Sequence, residues 1–137
     1  MIVQGQAVAD WVAEGTGAKL TADAQAIGLV TDGKLVAGVV YDCWTGTNIF
    51  CHQRIIGKTT KEYWEAIVTY PFITLECNRV TVTVNADNTK SIRIVEHMGF
   101  VEEGRMTGAN SKGGDVIYYV LWKQDCKILN WKNYHGK

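Results

Sequence analysis

Asn88 and Ser91 stand three residues apart at the head of the stretch VNADNTKSIRIVEHMGFVEEGR, residues 84–105. At about 100° per residue, Ser91 shares a helix face with Ile94, Val95 and Met98. Thr89, Lys90, Arg93, Glu96 and His97 fill the opposite arc. Ser91 therefore lies in the apolar stripe of a short helix, one turn from its start. Two uses of its hydroxyl follow. It can bond a backbone carbonyl one turn back, or it can face a cleft between helix and sheet and meet a ligand there. The helix wheel leaves both open. Asp87 or Asn88 is the expected N-cap. Gly99 is a natural left-handed stop, with Phe100 folding back on Val95.

The elements that must position this helix can be read along the chain. GQAVADWVAE has helical spacing at Ala7, Val8, Trp11 and Val12, and GTG ends that helix. QAIGLVTDGKLVAGVVYDCW is two apolar runs around an Asp32-Gly33 hairpin turn. NIFCHQRII is a third meander strand. Its turn, WTGTN, sets Trp44 opposite Ile49, Cys43 opposite Phe50 and Cys51 opposite Asp42, which sends the two thiols to opposite faces. LVAGVV is apolar enough to be covered on both faces. In GKTTKEYWEAIVTYPFITLECN, Tyr63, Trp64, Ile67, Val68 and Phe72 share a helical face, and Thr59 with Glu62 fits a capping box. Pro71 lacks a backbone donor, so a kink or break is expected near Thr69–Pro71. RVTVTVN reads as a strand, and FVEEGRMT and DVIYYVLWK as two more, joined by GANSKGG. The order implies an α+β fold: a mixed, mostly antiparallel sheet of about six to seven strands, with helices on both faces and one strand–helix–strand crossover.

Composition bounds the function. The 137 residues suit one domain, spanning 1–137. Lys and Arg number 14, as do Asp and Glu, so no net charge argues for nucleic acid. No apolar run is long enough for a membrane span, and MIVQGQAVADWV does not resemble a secretory leader. Cys43, Cys51, Cys77 and Cys126 form no CxxC pair and read as reduced thiols of a cytoplasmic protein. His52, His97 and His135 lie in separate contexts, which gives no reason to expect a metal. KQDCKILNWKNYHGK leans basic and reads as a solvated tail.

The motif NADNTKSIRIVEHMGFVEEGR resembles that of the GNAT superfamily of acyl-CoA-dependent N-acyltransferases, and within it the ribosomal-protein-acetyltransferase-like branch. Asn88, Ser91, Gly99, Phe100, Glu103 and Gly104 carry the likeness. It extends over about residues 24–125 and is tight over 80–105. EYWEAIVTYPF is also similar to small phage-type members. The head of the chain has one clear helix where the family commonly has two.

This resemblance implies a sheet parted between its fourth and fifth strands, with the pantetheine arm of CoA in the gap. Asn88 would then hydrogen-bond the arm. Ser91 would sit near the sulfur, as proton donor to the leaving thiolate or as a partner through water. A thiol of pKa about 8.5 leaves with little assistance. RIIGKTTKE stands where the family places its pyrophosphate loop. Arg54 and Gly57 match two anchor positions, and Thr59 replaces a final small residue. Amides from Gly57 to Lys61, Thr60 among them, and the charges of Lys58 and Lys61 would face the phosphates. An ordinary capped helix start accounts for the same letters. His52 and Asp42 are candidate bases for the acceptor amine, and a backbone amide of NIFCHQRII would meet the oxyanion. GANSKGGD would form part of the acceptor rim. The expected activity is direct acetyl transfer from acetyl-CoA to a primary amine, favouring a protein or peptide acceptor, by a monomer or homodimer. The alternative is a catalytically inactive GNAT-fold binding module, with five Trp and six Tyr as interface anchors.

Overall fold

A computed structural model of the chain describes residues 1–130. Its core is one seven-stranded sheet in the order β1-β2-β3-β4-β5-β7-β6. The strands are β1 (Ile2–Gln4), β2 (Gln25–Thr31), β3 (Lys34–Asp42), β4 (Asn48–Ile55), β5 (Arg79–Asn85), β6 (Val101–Met106) and β7 (Val116–Trp122). The helices that position the site are α1 (Gln6–Thr16), α2 (Lys61–Thr69) and α3 (Thr89–Met98). All strand pairs are antiparallel except β4 with β5. This is the expected α+β architecture. The three-residue edge strand β1 is an addition, too short to leave a period in the sequence.

Two apolar layers sandwich the sheet. Val8, Ala9 and Val12 of α1 pack with Ala26 and Val40 on one face. Tyr63, Ile67 and Val68 of α2 and Val95 of α3 pack with Val39, Tyr41, Val80, Val84 and Tyr119 on the other. Two glycines bring α1 close. Gly28 and Gly38 lie opposite each other on β2 and β3, and a methyl on either would press on Val8 or Val12 at 2.9–3.2 Å. The β2–β3 hairpin turns at Asp32 and Gly33, both with positive φ, as Asp-Gly predicts.

The next hairpin corrects the predicted register. Asp42 pairs with Phe50 and Tyr41 with Cys51, so Trp44 and Ile49 are not partners. Cys43 takes φ 54° and leaves the ladder. The hydroxyl of Thr45 then accepts from the Asn48 amide at 3.1 Å, closing a longer loop. Cys51 consequently shares the face of Tyr41, toward α2.

Pro71 ends α2 where expected. The chain continues as a wide turn over Tyr70–Thr74, with the Leu75 amide donating to the Tyr70 carbonyl at 3.0 Å. Proline has no N–H to offer the carbonyl one turn back, Ile67. The Tyr41 phenol supplies that donor from β3 at 2.5 Å. One break in a helix thus becomes a tether between helix and sheet.

Candidate active site

β4 and β5 pair over only four positions, Asn48–Cys51 with Arg79–Val82. Beyond Cys51 and Val82 they separate. A cleft of about 650 Å³ fills the gap, within the roughly 300–1,000 Å³ typical of small-molecule sites. Cys51–Ile55 line it from β4, Val82–Asn85 from β5, Lys90, Ser91 and Ile94 from α3, and Asn88 from the residue before that helix. β4 beyond Cys51 thus borders the cleft as an edge strand would, with polar backbone that has no strand partner on that side.

α3 forms and ends as its letters dictate. Asn88 is the N-cap, its Oδ1 accepting from the Ser91 amide at 3.2 Å. Gly99 stops the helix with φ 104°, and the Phe100 amide donates to the Val95 carbonyl at 3.0 Å. Ser91 is half-buried and lines the cleft. Among the described residues its hydroxyl bonds no carbonyl one turn back, so the cleft-facing placement prevails.

His52 reaches the same cleft from the opposite face of the sheet. It is paired with Val40 in the ladder, and Val40 packs under α1. Its Nε2 lies 3.0 Å from Oδ1 of Asp42. The Asp42 side chain is only 3% exposed against 23% for His52, so the carboxylate is the buried anchor and the imidazole the accessible partner. A carboxylate only accepts. The proton of a neutral imidazole therefore sits on Nε2, leaving the Nδ1 lone pair available. The two candidate bases of the sequence, His52 and Asp42, are thus one hydrogen-bonded pair.

Arg54 also lines the cleft. Its Nη1 donates to the Trp11 carbonyl at 2.9 Å, and the guanidinium lies 4.2 Å from the Trp11 ring centroid. Gly15 permits this, since a Cβ there would overlap the Arg54 side chain. Gly15–Ala18 thereby become one wall of the cleft. The sequence marked GTG only as a helix stop.

The loop after β4 is placed less directly. Gly57, Lys58, Thr59 and Thr60 do not line the cleft. The amides of Ile56 and Gly57 both donate to the Val36 carbonyl, which leaves the following amides as the helix-start donors. Thr60, not Thr59, caps α2, accepting from the Tyr63 amide at 3.2 Å. Thr59 is taken by the Trp64 indole, which donates to its hydroxyl at 2.9 Å. The Gly108–Asp115 loop closes the β6–β7 hairpin through bonds to Asn110 and Asp115, and it does not line the cleft.

Cys51 sits at the vertex of the split. Burial, then the charges of Asp42 and Cys77, push its thiol well above the ordinary range. A protonated thiol is a poor nucleophile, which disfavours a cysteine-bound acyl intermediate.

The chain is similar to known acetyltransferases. It is 37% identical over a 109-residue alignment to a ribosomal N-acetyltransferase named YdaF of Bacillus subtilis (strain 168), where that name is qualified as provisional; the match covers 65% of this chain and 60% of that protein. The chain thus spans about three fifths of that relative's length. A crystal structure of a probable acetyltransferase superposes with TM-score 0.65 at 26% identity, covering 85% of this chain and 68% of that one. RimJ of Mycobacterium smegmatis, solved in complex with CoA-disulfide, superposes with TM-score 0.64 at 15% identity, covering 82% and 60%. No family model matches. The chain is thus similar to acetyltransferases in sequence over part of its length and in fold over most of it. Its sheet parts between β4 and β5, where the resemblance of the motif around Ser91 implied a gap.

Proposed function

We propose that this protein is an N-acetyltransferase that moves an acetyl group from acetyl-CoA directly to a primary amine of a protein or peptide. The observation that carries the reading is the parting of β4 from β5 beyond Cys51 and Val82, with Ser91 and His52 reaching one cleft from opposite faces of the sheet.

The gap suits a pantetheine arm. The arm carries two amides, and β4 beyond the vertex offers it unpaired backbone, as a sheet edge offers a strand to a peptide. Asn88 uses its Oδ1 as a helix cap, so its amide N–H groups remain for the arm. The pyrophosphate would meet the amides of Lys58, Thr59 and Thr60 at the start of α2, with charge from Lys58 and Lys61. Arg54 would hold the α1 wall rather than contact phosphate.

The amine would enter from the α1 face. His52 Nδ1 takes its proton, with Asp42 fixing the ring. Nitrogen attacks the thioester carbonyl, and a β4 amide meets the oxyanion. The C–S bond then breaks, and the proton that the attacking nitrogen still sheds passes to the departing sulfur through Ser91, whose hydroxyl gives one proton as it takes up another, directly or through water. The relative's name supports a protein acceptor.

The thermal midpoint with and without millimolar acetyl-CoA tests the reading. A ligand at 100 times its dissociation constant adds about 2.7 kcal/mol, several degrees for a domain of this size. An unmoved midpoint favours a binding module that kept the fold without the cosubstrate.

A further inference from the structure

We infer that a side-chain clasp of Asn48, Arg79, Thr81 and Glu103 positions the vertex of the split and thereby limits the length of acyl group the cleft accepts. This rests on the acyl-transfer reading for its substrate but on geometry alone for the clasp.

The four residues lie on the sheet face that carries α1, with Arg79, Thr81 and Glu103 on strands beyond β2, β3 and β4, the ones α1 chiefly packs against. Asn48 opens β4, and Arg79 opens β5 directly opposite it. The Asn48 Oδ1 accepts from Thr81 Oγ1 at 2.6 Å and from Arg79 Nε at 3.1 Å. Arg79 Nη2 also donates to Thr81 Oγ1 at 2.9 Å. On its far side Arg79 meets both carboxylate oxygens of Glu103 at 2.9 and 2.8 Å. The β6 register shifts between Glu102 and Gly104, a bulge that frees Glu103 from the ladder. The guanidinium lies 5.4 Å from the Trp122 ring centroid. Thr81 is 3% exposed, so its hydroxyl depends on these partners.

Every bond crosses the β4–β5 boundary or braces the residue that does. A pantetheine arm entering from the open end would carry its thioester toward the last rung, Cys51 with Val82. That rung is the backstop for the acyl chain. Losing one rung lengthens the gap by about 3.3 Å, comparable with the two methylenes by which butyryl exceeds acetyl. The Glu-Gly of the sequence motif thus has a physical role: Glu103 holds the arginine that holds the vertex.

The test pairs amide hydrogen exchange with donor selectivity. Arg79→Met and Thr81→Val, the latter nearly isosteric, should speed exchange at Ile49–Cys51 and Val80–Val82 about tenfold while β2 and β3 stay protected. The ratio of kcat/KM for butyryl-CoA over acetyl-CoA should rise by a similar factor, and Thr81→Ser should restore both. An unchanged ratio with equal loss on both donors, or exchange rising throughout the sheet, overturns the inference. A wild-type chain that uses neither donor overturns the acyl-transfer reading instead. The exchange measurement needs no ligand and still decides on the clasp.

Discussion

The two ends of the β4–β5 boundary are built from the same strands yet behave oppositely. At the closed end Asn48, Arg79 and Thr81 bond to one another across the boundary. At the open end every polar side chain of β4 is turned away from β5. His52 bonds Asp42 on β3, Gln53 accepts from the Tyr63 phenol of α2 at 2.8 Å, and Arg54 reaches Trp11 of α1. The Val-Thr alternation of β5 is equally strand-like at both ends, so backbone propensity does not decide where pairing stops. Side-chain allegiance does. β4 is zipped to its neighbour where its side chains point across, and is held off where two helices and β3 claim them.

The strongest way to break that comparison is at His52. His52→Ala should lower kcat/KM for amine transfer by about 10²–10⁴, the usual contribution of a positioned base, while the acetyl-CoA-induced rise in thermal midpoint persists. Asp42→Asn keeps the shape but not the charge, and should cost less. Steady-state kinetics beside thermal melts separates the outcomes. Loss of the midpoint shift together with activity would mean His52 serves the cleft wall rather than the proton.

A smaller effect is expected at the tether. Tyr41→Phe leaves the Ile67 carbonyl without its phenol donor, and an orphaned buried acceptor costs about 1–3 kcal/mol. Chemical denaturation should show this as a lower midpoint with an unchanged slope. A change below a few tenths of a kcal/mol would mean that water replaces the phenol and that α2 needs no tether to keep the open end open.

These contrasts show which features the letters could carry. Asp32-Gly33, Gly99 and the break at Pro71 are local: each follows from the conformations its own residue can adopt, and each lies where the sequence places it. Ser91 in the apolar stripe was equally legible, although its choice between core and cleft needed the split to be seen. The cap of α2 lies one residue past the position the capping pattern predicts, because Thr59 answers to the Trp64 indole, a competitor that a four-residue pattern does not include. The register at Cys43 departs from the simple hairpin the letters predict because a non-glycine residue there takes a positive φ. The clasp was invisible for another reason. Arg79 and Asn48 are 31 residues apart, and Arg79 and Glu103 are 24 apart, so no periodicity joins them.

The finest prediction concerns the closed end under acid. The hydrogen bonds from Arg79, and then its charge, hold the Glu103 carboxyl below its ordinary range. A carboxyl with a depressed folded-state pKa lends stability above its unfolded value, about 4.3, and loses it as pH falls through the folded value. Exchange at Val80–Val82 should therefore accelerate selectively as pH drops below about 4. The neighbouring Glu102 is lowered in the same direction by Arg105, but that pair lies within β6 and bridges no boundary. Glu103→Gln should abolish the acid response at the vertex, and Glu102→Gln should leave it intact. Because Glu103 is half-exposed, solvent and salt screen the pair, so the effect is the smallest of those expected. It is also the most discriminating, since a general acid destabilisation would loosen β2 and β3 as readily as the rungs beside Arg79. Acid sensitivity confined to those rungs would show that the vertex is held by the arginine's carboxylate partner and not by the ladder alone.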